Sequence, residues 1–170
     1  YWNLFDPNNG FIAIHAKVLR LVPMEKLNKR FFFEADMLFR LSTIRAVVKD
    51  IPMDSVYGDE KSNLSILNIF LTFPYLYCNR IGKRIFYNYF LRNFNIASLY
   101  LIFGLFLFFF GVWFGIDSWI ELSKNNEIAS AGTVMLAAMP IMIGNTYLVG
   151  FLAYDMQDIP TEPIHKNFAN

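Results

Sequence analysis

Two long stretches without a single charge limit what this chain can become. Ile96 to Ile116 runs for about twenty-one residues with no Asp, Glu, Lys or Arg, and Ala129 to Tyr154 is a second such stretch. At about 1.5 Å per helical residue, each is long enough to cross a hydrocarbon core of about 30 Å. Backbone polar groups find no water there, so a crossing segment must satisfy its own hydrogen bonds, which a helix does. Two helices buried inside a large soluble protein are the alternative. Composition favours the bilayer: of 170 residues 55% are hydrophobic and 18% aromatic, including 19 Phe, which is high for a soluble domain of this length.

The position of the charges orients the spans. Formal net charge is only +1, so no global field points to nucleic acid as a partner. Arg80, Lys83, Arg84 and Arg92 precede the first span, whereas Asp117 to Ser130, between the spans, carries Asp117, Glu121 and Glu127 against the single Lys124. The positive-inside bias places the preceding region in the cytoplasm, and two spans return the short tail to that side. Trp113, Trp119, Tyr147 and Tyr154 lie near the span ends or one turn in, as interfacial anchors do. Gly111 and Gly115 form a small-xxx-small pair, with Gly104, Gly144 and Gly150 also in the spans. Close packing of a two-helix hairpin explains them as readily as a contact between copies in a homo-oligomer. Pro140 and Asn145 sit mid-span; Asn145 is expected to bond across to the other helix, since no intramembrane charge accompanies it to suggest a transport path. The lone cysteine, Cys78, excludes an internal disulfide and a Cys-based zinc site, and His15 and His165 are far apart in sequence.

Ahead of the anchor, residues 95–170, come two further zones. Residues 65–94 read as amphipathic juxtamembrane helices divided by Pro74. Beyond that break Arg80, Lys83, Arg84 and Tyr87 share one arc while Ile81, Ile85, Phe86, Tyr89 and Phe90 occupy the other. Cations toward anionic headgroups with aromatics toward acyl chains make an in-plane membrane helix; a soluble helix on a greasy core is the competing reading. Residues 1–64 alternate: turn chemistry at Asp6-Pro7-Asn8-Asn9-Gly10, a short strand over Gly10 to Ile14, a helical stretch from about Lys17 to Leu27, a helix from about Glu34 to Arg45, and a strand over Ala46 to Ile51 stopped by Pro52. That alternation predicts the tail of an α/β domain, because each helix must cover a face of a sheet. The chain opens at Tyr1 rather than Met, in what reads as a loop, and is expected to be the C-terminal part of something longer.

Four motifs in this order resemble a known family. Asp6-Pro7-Asn8-Asn9-Gly10-Phe11, Phe33-Glu34-Ala35-Asp36-Met37-Leu38-Phe39-Arg40, Asp50-Ile51-Pro52-Met53 and Tyr57-Gly58-Asp59-Glu60-Lys61-Ser62-Asn63-Leu64, followed by a basic helix and two spans, look like the second half of a family 2 glycosyltransferase. The likeness is to the polyprenyl-phosphate sugar transferases, of the dolichol-phosphate mannosyltransferase and bactoprenol glucosyltransferase type, and covers nearly the whole chain. It implies an α/β fold, the C-terminal part of a GT-A domain over residues 1–64, and transfer from a nucleotide-sugar donor to a polyprenyl phosphate. It also implies a divalent metal, Mg or Mn, whose ligands belong to a nucleotide-binding half outside this chain. This piece alone is then expected to be inactive.

The same resemblance assigns site residues. Asp36, and with it Glu34, would be the catalytic acids. A phosphate acceptor is already an anion at neutral pH and needs no general base, so Asp36 would orient the donor sugar or the acceptor's surroundings rather than remove a proton. Residues two apart on a helix point roughly 200° away from each other, so the two acids share one site only if Glu34 precedes the first turn. Asp36 also suits a helix N-terminus and an i, i+4 pair with Arg40, a purely structural role. Asp6, Asn9 and Gly10 would line the donor pocket, with a plain turn as the alternative. His15 and Lys17 follow where relatives place polar residues near the diphosphate, and His15 reads equally as an ordinary strand residue. Lys61 and Ser62 would hold the lipid phosphate, or else belong to a solvated turn with Asp59 and Glu60. Arg80, Lys83, Arg84 and Arg92 would face the membrane interface. The alternative for the whole is a non-catalytic two-span protein that recruits a partner.

Overall fold

A computed structural model describes residues 3–53 and 66–167 of the chain. In chain order it contains α1 (Ala16–Leu19), a 3-10 turn at Met24–Lys26, a second at Arg30–Phe32, α2 (Phe33–Thr43), α3 (Ile66–Phe86) passing into a π-helical turn at Tyr87–Arg92, α4 (Ile96–Asn125), α5 (Ala131–Gln157) and a last 3-10 turn at Ile164–Asn167.

The α/β expectation is overturned, since among the described residues there is no strand and a GT-A sheet is not what they form. Gly10 to Ile14 is irregular chain leading into α1, and Ala46 to Ile51 is irregular chain leaving α2. A β-branched run only suits a pleated surface, and it needs neighbouring strands to supply the ladder. Here side chains do the joining: Asn3 Nδ2 donates to the Val48 carbonyl at 3.5 Å, and the Phe5 N–H donates to Asp50 Oδ2 at 2.6 Å.

The chain divides into two compact units, residues 1–91 with 159–170, and residues 92–158. The core of the first is built on α2. Phe33, Met37, Leu41 and Ile44 recur at three- and four-residue intervals, and Met37 and Leu41 are buried with Val18, Val22, Leu27 and Ala46. Each fully buried aliphatic side chain of this size is worth about 1.5–3 kcal/mol. The helix stops by backbone chemistry. Arg45 takes a left-handed conformation at φ 55°, its N–H reaches Ser42 O at 3.0 Å, and Ala46 N–H reaches Leu41 O at 2.9 Å. That is a Schellman stop with arginine where glycine is usual, and it folds Ala46 back onto the core. Ile164, from the tail after α5, packs against the same core.

α3 is continuous through Pro74, where the sequence predicts a division. Proline removes one internal hydrogen bond, and its ring lies exposed on the helix surface, so the helix absorbs it.

The second unit is a helical hairpin. Asn95 caps α4: its Oδ1 accepts the Ala97 N–H at 2.9 Å, while Ser98 Oγ accepts the Asn95 N–H at 3.1 Å. α4 runs on past the apolar stretch to Asn125, so Asp117, Glu121 and Lys124 lie on its last turns and the connection shrinks to residues 126–130. Ser130 caps α5 by accepting the Thr133 N–H at 3.1 Å. Where the helices pack, backbone meets backbone. A Cβ on Gly144 would stand 2.6 Å from Phe108 N and 2.9 Å from Gly104 O, and one on Gly111 would stand 2.8 Å from Ala137 O. Tyr100 stacks on Tyr147 with centroids 5.7 Å apart, and Asn95 Nδ2 donates to the Tyr154 hydroxyl at 3.3 Å. Asn145 is exposed instead of turned toward α4 as its mid-span position suggests. Both helices are long and apolar enough to cross a membrane, and only 11% of the most apolar window of each is buried, whereas a soluble core helix would be mostly buried.

Candidate functional site: a buried carboxylate between two arginines

Asp36 is wholly buried, and three groups converge on it. Arg40, one turn later on α2, brings Nη2 to 3.2 Å from Oδ2. Arg80, from α3, brings Nε to 2.8 Å from Oδ1, a close ion pair in which the N–H is not aligned as a hydrogen bond. The Asn28 N–H, just before α2, donates to Oδ2 at 2.7 Å. Arg40 also donates to the Lys26 carbonyl, while its buried Nε has no hydrogen-bond partner among the described residues. The Arg80 guanidinium lies over the Phe39 ring, 5.3 Å from its centroid. One negative charge thus stands against two positive ones, in a place where desolvation makes an unpaired charge costly.

The helix supplies this geometry. Phe33, Met37 and Leu41 turn into the core, which leaves Asp36 and Arg40 on the adjacent strip that meets α3. Beside the ion pairs, Phe32 packs edge-on against Phe73 and Tyr77 of α3 at 5.5 and 5.1 Å. Tyr77 then donates its hydroxyl to Asn8 Oδ1 at 3.1 Å, tying the early turn to the same helix.

Of the residues expected at a catalytic site, the structure brings Asp36 together with Arg80, which the sequence assigned to the membrane interface. It does not bring Asp36 together with Glu34. Glu34 is the second residue of α2, inside the first turn, so it points away from Asp36 and is half-buried. Asp6, Asn9 and Gly10 form an exposed turn closed by its own side chains: Asn8 N–H reaches Asp6 Oδ1 at 3.2 Å and Phe11 N–H reaches Asn9 Oδ1 at 2.9 Å. A Cβ on Gly10 would meet nothing within 4 Å, so no close backbone approach explains that glycine here. His15 caps α1 by accepting the Lys17 N–H on Nδ1 at 3.2 Å. Lys61 and Ser62 lie outside the described residues, as does the whole Tyr57 to Leu64 motif. Lys83 is exposed on α3 and Arg84 is half-buried, while Arg92 ends the π-helical turn.

Arg80, Phe39, Tyr77 and Asn28 were missed as partners of this site. The Asp36–Arg40 pair is readable as an i, i+4 spacing, but contact with Arg80, on another helix, leaves no mark in a single sequence. A separate open hollow of about 260 Å³, lined by Arg45, Ile159, Pro160, Thr161, Glu162 and Ile164, holds none of the expected site residues. No group of three or more His, Cys, Asp or Glu among the described residues could hold a metal ion, and the ligands of the divalent metal that the resemblance implies are expected outside this chain. Comparison with protein-family models, with curated proteins and with solved structures found no match.

Proposed function

We propose that this chain is the membrane-anchoring part of a transferase that moves a sugar from a nucleotide-sugar donor to a polyprenyl phosphate at the cytoplasmic face of the membrane. The observation that carries the reading is the succession of α3, a helix with an exposed apolar side, and two paired helices of membrane length. A membrane anchor next in sequence to a helix with an exposed apolar side keeps the chain ahead of it near the lipid headgroups, where a lipid phosphate is presented. The order of the Asp6–Phe11, Phe33–Arg40, Asp50–Met53 and Tyr57–Leu64 motifs supports the same chemistry. Since the acceptor is ionised already, the protein's task is placement and charge neutralisation, for which Arg and Lys near the interface are suited.

A second reading, a non-catalytic two-span scaffold, draws on one observation: Asp36 is fully buried and shared by two arginines, as in a structural tie. One assay separates the two. Membranes holding the protein from the complete reading frame are incubated with labelled nucleotide sugars and polyprenyl phosphate. A lipid-linked product supports the transferase, and no product with any donor sinks it in favour of the scaffold.

A further inference from the structure

α3 departs from a soluble amphipathic helix in carrying apolar residues on its outer side as well as its inner one. Leu71, Tyr75, Cys78 and Ile81 recur at three- and four-residue intervals and, with Phe70 beside Leu71, are exposed, Phe70, Leu71 and Tyr75 to 76%, 69% and 69%. Phe73, Tyr77 and Arg80 occupy the other side, against Phe32, Phe39 and Asp36. A basic amphipathic helix on a water-soluble surface would turn its cations out and its aromatics in. Here an arginine is drawn inward and an apolar stripe is left outside, while Lys83, near the end of the same helix, is exposed. Contiguous exposed apolar surface of this kind marks a contact with something apolar.

We propose that Arg80 is a positioning residue: by closing on Asp36 and Phe39 it fixes the roll of α3, so that the Phe70, Leu71, Tyr75, Cys78 and Ile81 stripe lies at the acyl-chain boundary of an anionic bilayer. The occupant follows from two features. The helix that carries the stripe passes through the π-helical turn Tyr87–Arg92 and is followed in sequence by α4 from Ile96, which is apolar enough to enter a membrane. The exposed Lys83, one turn from the end of α3, complements anionic headgroups. The inference rests on the membrane anchoring proposed above and alters one part of the sequence-based expectation, because it takes Arg80 away from the headgroups and gives it to Asp36.

Cys78, the chain's one cysteine, lies on the stripe and serves as the probe. The full chain, labelled there with an environment-sensitive fluorophore, is reconstituted into phosphatidylcholine–phosphatidylglycerol vesicles with or without brominated acyl chains. Bromine should lower the emission at least twofold. In a Cys78→Ser background, Leu76→Cys puts the label on the opposite side of α3, and its emission should change little. Arg80→Gln and Asp36→Asn should each abolish the difference between the two sides, with Arg80→Lys keeping part of it. Helix content by circular dichroism identifies any variant that fails to fold, and the comparison of positions 78 and 76 in otherwise unaltered protein does not depend on those variants. Equal quenching on both sides, or none at position 78, overturns the proposal. So does a folded Arg80→Gln protein that keeps the difference. Quenching at 78 without any lipid-linked product would sink the transferase reading alone, and product without quenching would sink this one alone.

Discussion

At the scale of single residues, Asp36 carries two incompatible expectations, and they separate by experiment. If it acts on a bound sugar, only its own loss should stop turnover. If it holds α3, the loss of either partner of the α2–α3 ion pair should do so. Removing one member of a buried ion pair costs about 3–5 kcal/mol, because the other charge stays behind without compensation. Asp36→Asn keeps an acceptor for the Asn28 N–H but leaves Arg40 and Arg80 facing a neutral amide. It should therefore lower the unfolding free energy by about 3 kcal/mol, read from denaturant melts of the first unit's signal. Arg80 is partly exposed, and Arg80→Gln should cost less than Asp36→Asn. Turnover lost in both variants assigns the pair to positioning, whereas turnover lost in Asp36→Asn and kept in a folded Arg80→Gln protein assigns Asp36 to the chemistry. What the sequence disclosed here was the acid at a helix start and its i, i+4 arginine, since both are local. Arg80 is 44 positions further on, and a one-dimensional pattern holds no information on which helix side meets which.

Among the elements, the two apolar helices were the most legible and the strands the least, for one physical reason. A helix satisfies its hydrogen bonds within itself, so twenty uncharged residues suffice to predict it. A strand depends on neighbours, and Gly10–Ile14 and Ala46–Ile51 have the composition of strands without a ladder to join. Helix ends were less clear than helix centres. α4 continues through Asp117 and Glu121 because the loss of apolar character ends the membrane-compatible stretch and not the helix. The glycines, read beforehand as either hairpin or oligomer contacts, make hairpin contacts. They predict a contrast between two substitutions. Gly144→Val would drive side-chain atoms into the backbone at Phe108 N and Gly104 O, which cannot move aside, and should lower hairpin stability by about 3 kcal/mol, the upper end of overpacking costs. Gly82→Ala, in α3 with nothing within 4 Å of the new methyl, should stabilise by about 0.5–1 kcal/mol through helix propensity alone. Thermal or detergent-titrated melts of both variants check the contrast. Equal effects would mean that α4 and α5 do not approach as closely as the backbone contacts require.

For the whole molecule the decisive feature is where the chain goes after α5. Residues from Ile159 onward belong to the first unit, and Ile164 packs on the core that α2 builds. The segment before α4 and the segment after α5 therefore fold together. A hairpin whose two outer ends enter one folded unit must present both ends on one side of any bilayer it crosses, and the 126–130 connection on the other. The charge pattern in the sequence leads to the same topology independently, through Arg80, Lys83, Arg84 and Arg92 on one flank against Asp117, Glu121 and Glu127 on the other. With Cys78→Ser as background, thiols introduced by Glu127→Cys and Glu162→Cys should react with a membrane-impermeant maleimide from opposite faces of sealed, oriented vesicles. Both side chains are exposed, so burial cannot mimic protection. Lysing the vesicles should make the protected thiol reactive, which separates sidedness from chemical inertness. Glu162→Cys should label from the cytoplasmic face and Glu127→Cys only from the other. Labelling of both from one face would mean that α4 and α5 do not cross as a pair, and the case for a lipid-borne acceptor would then rest on the exposed α3 stripe alone.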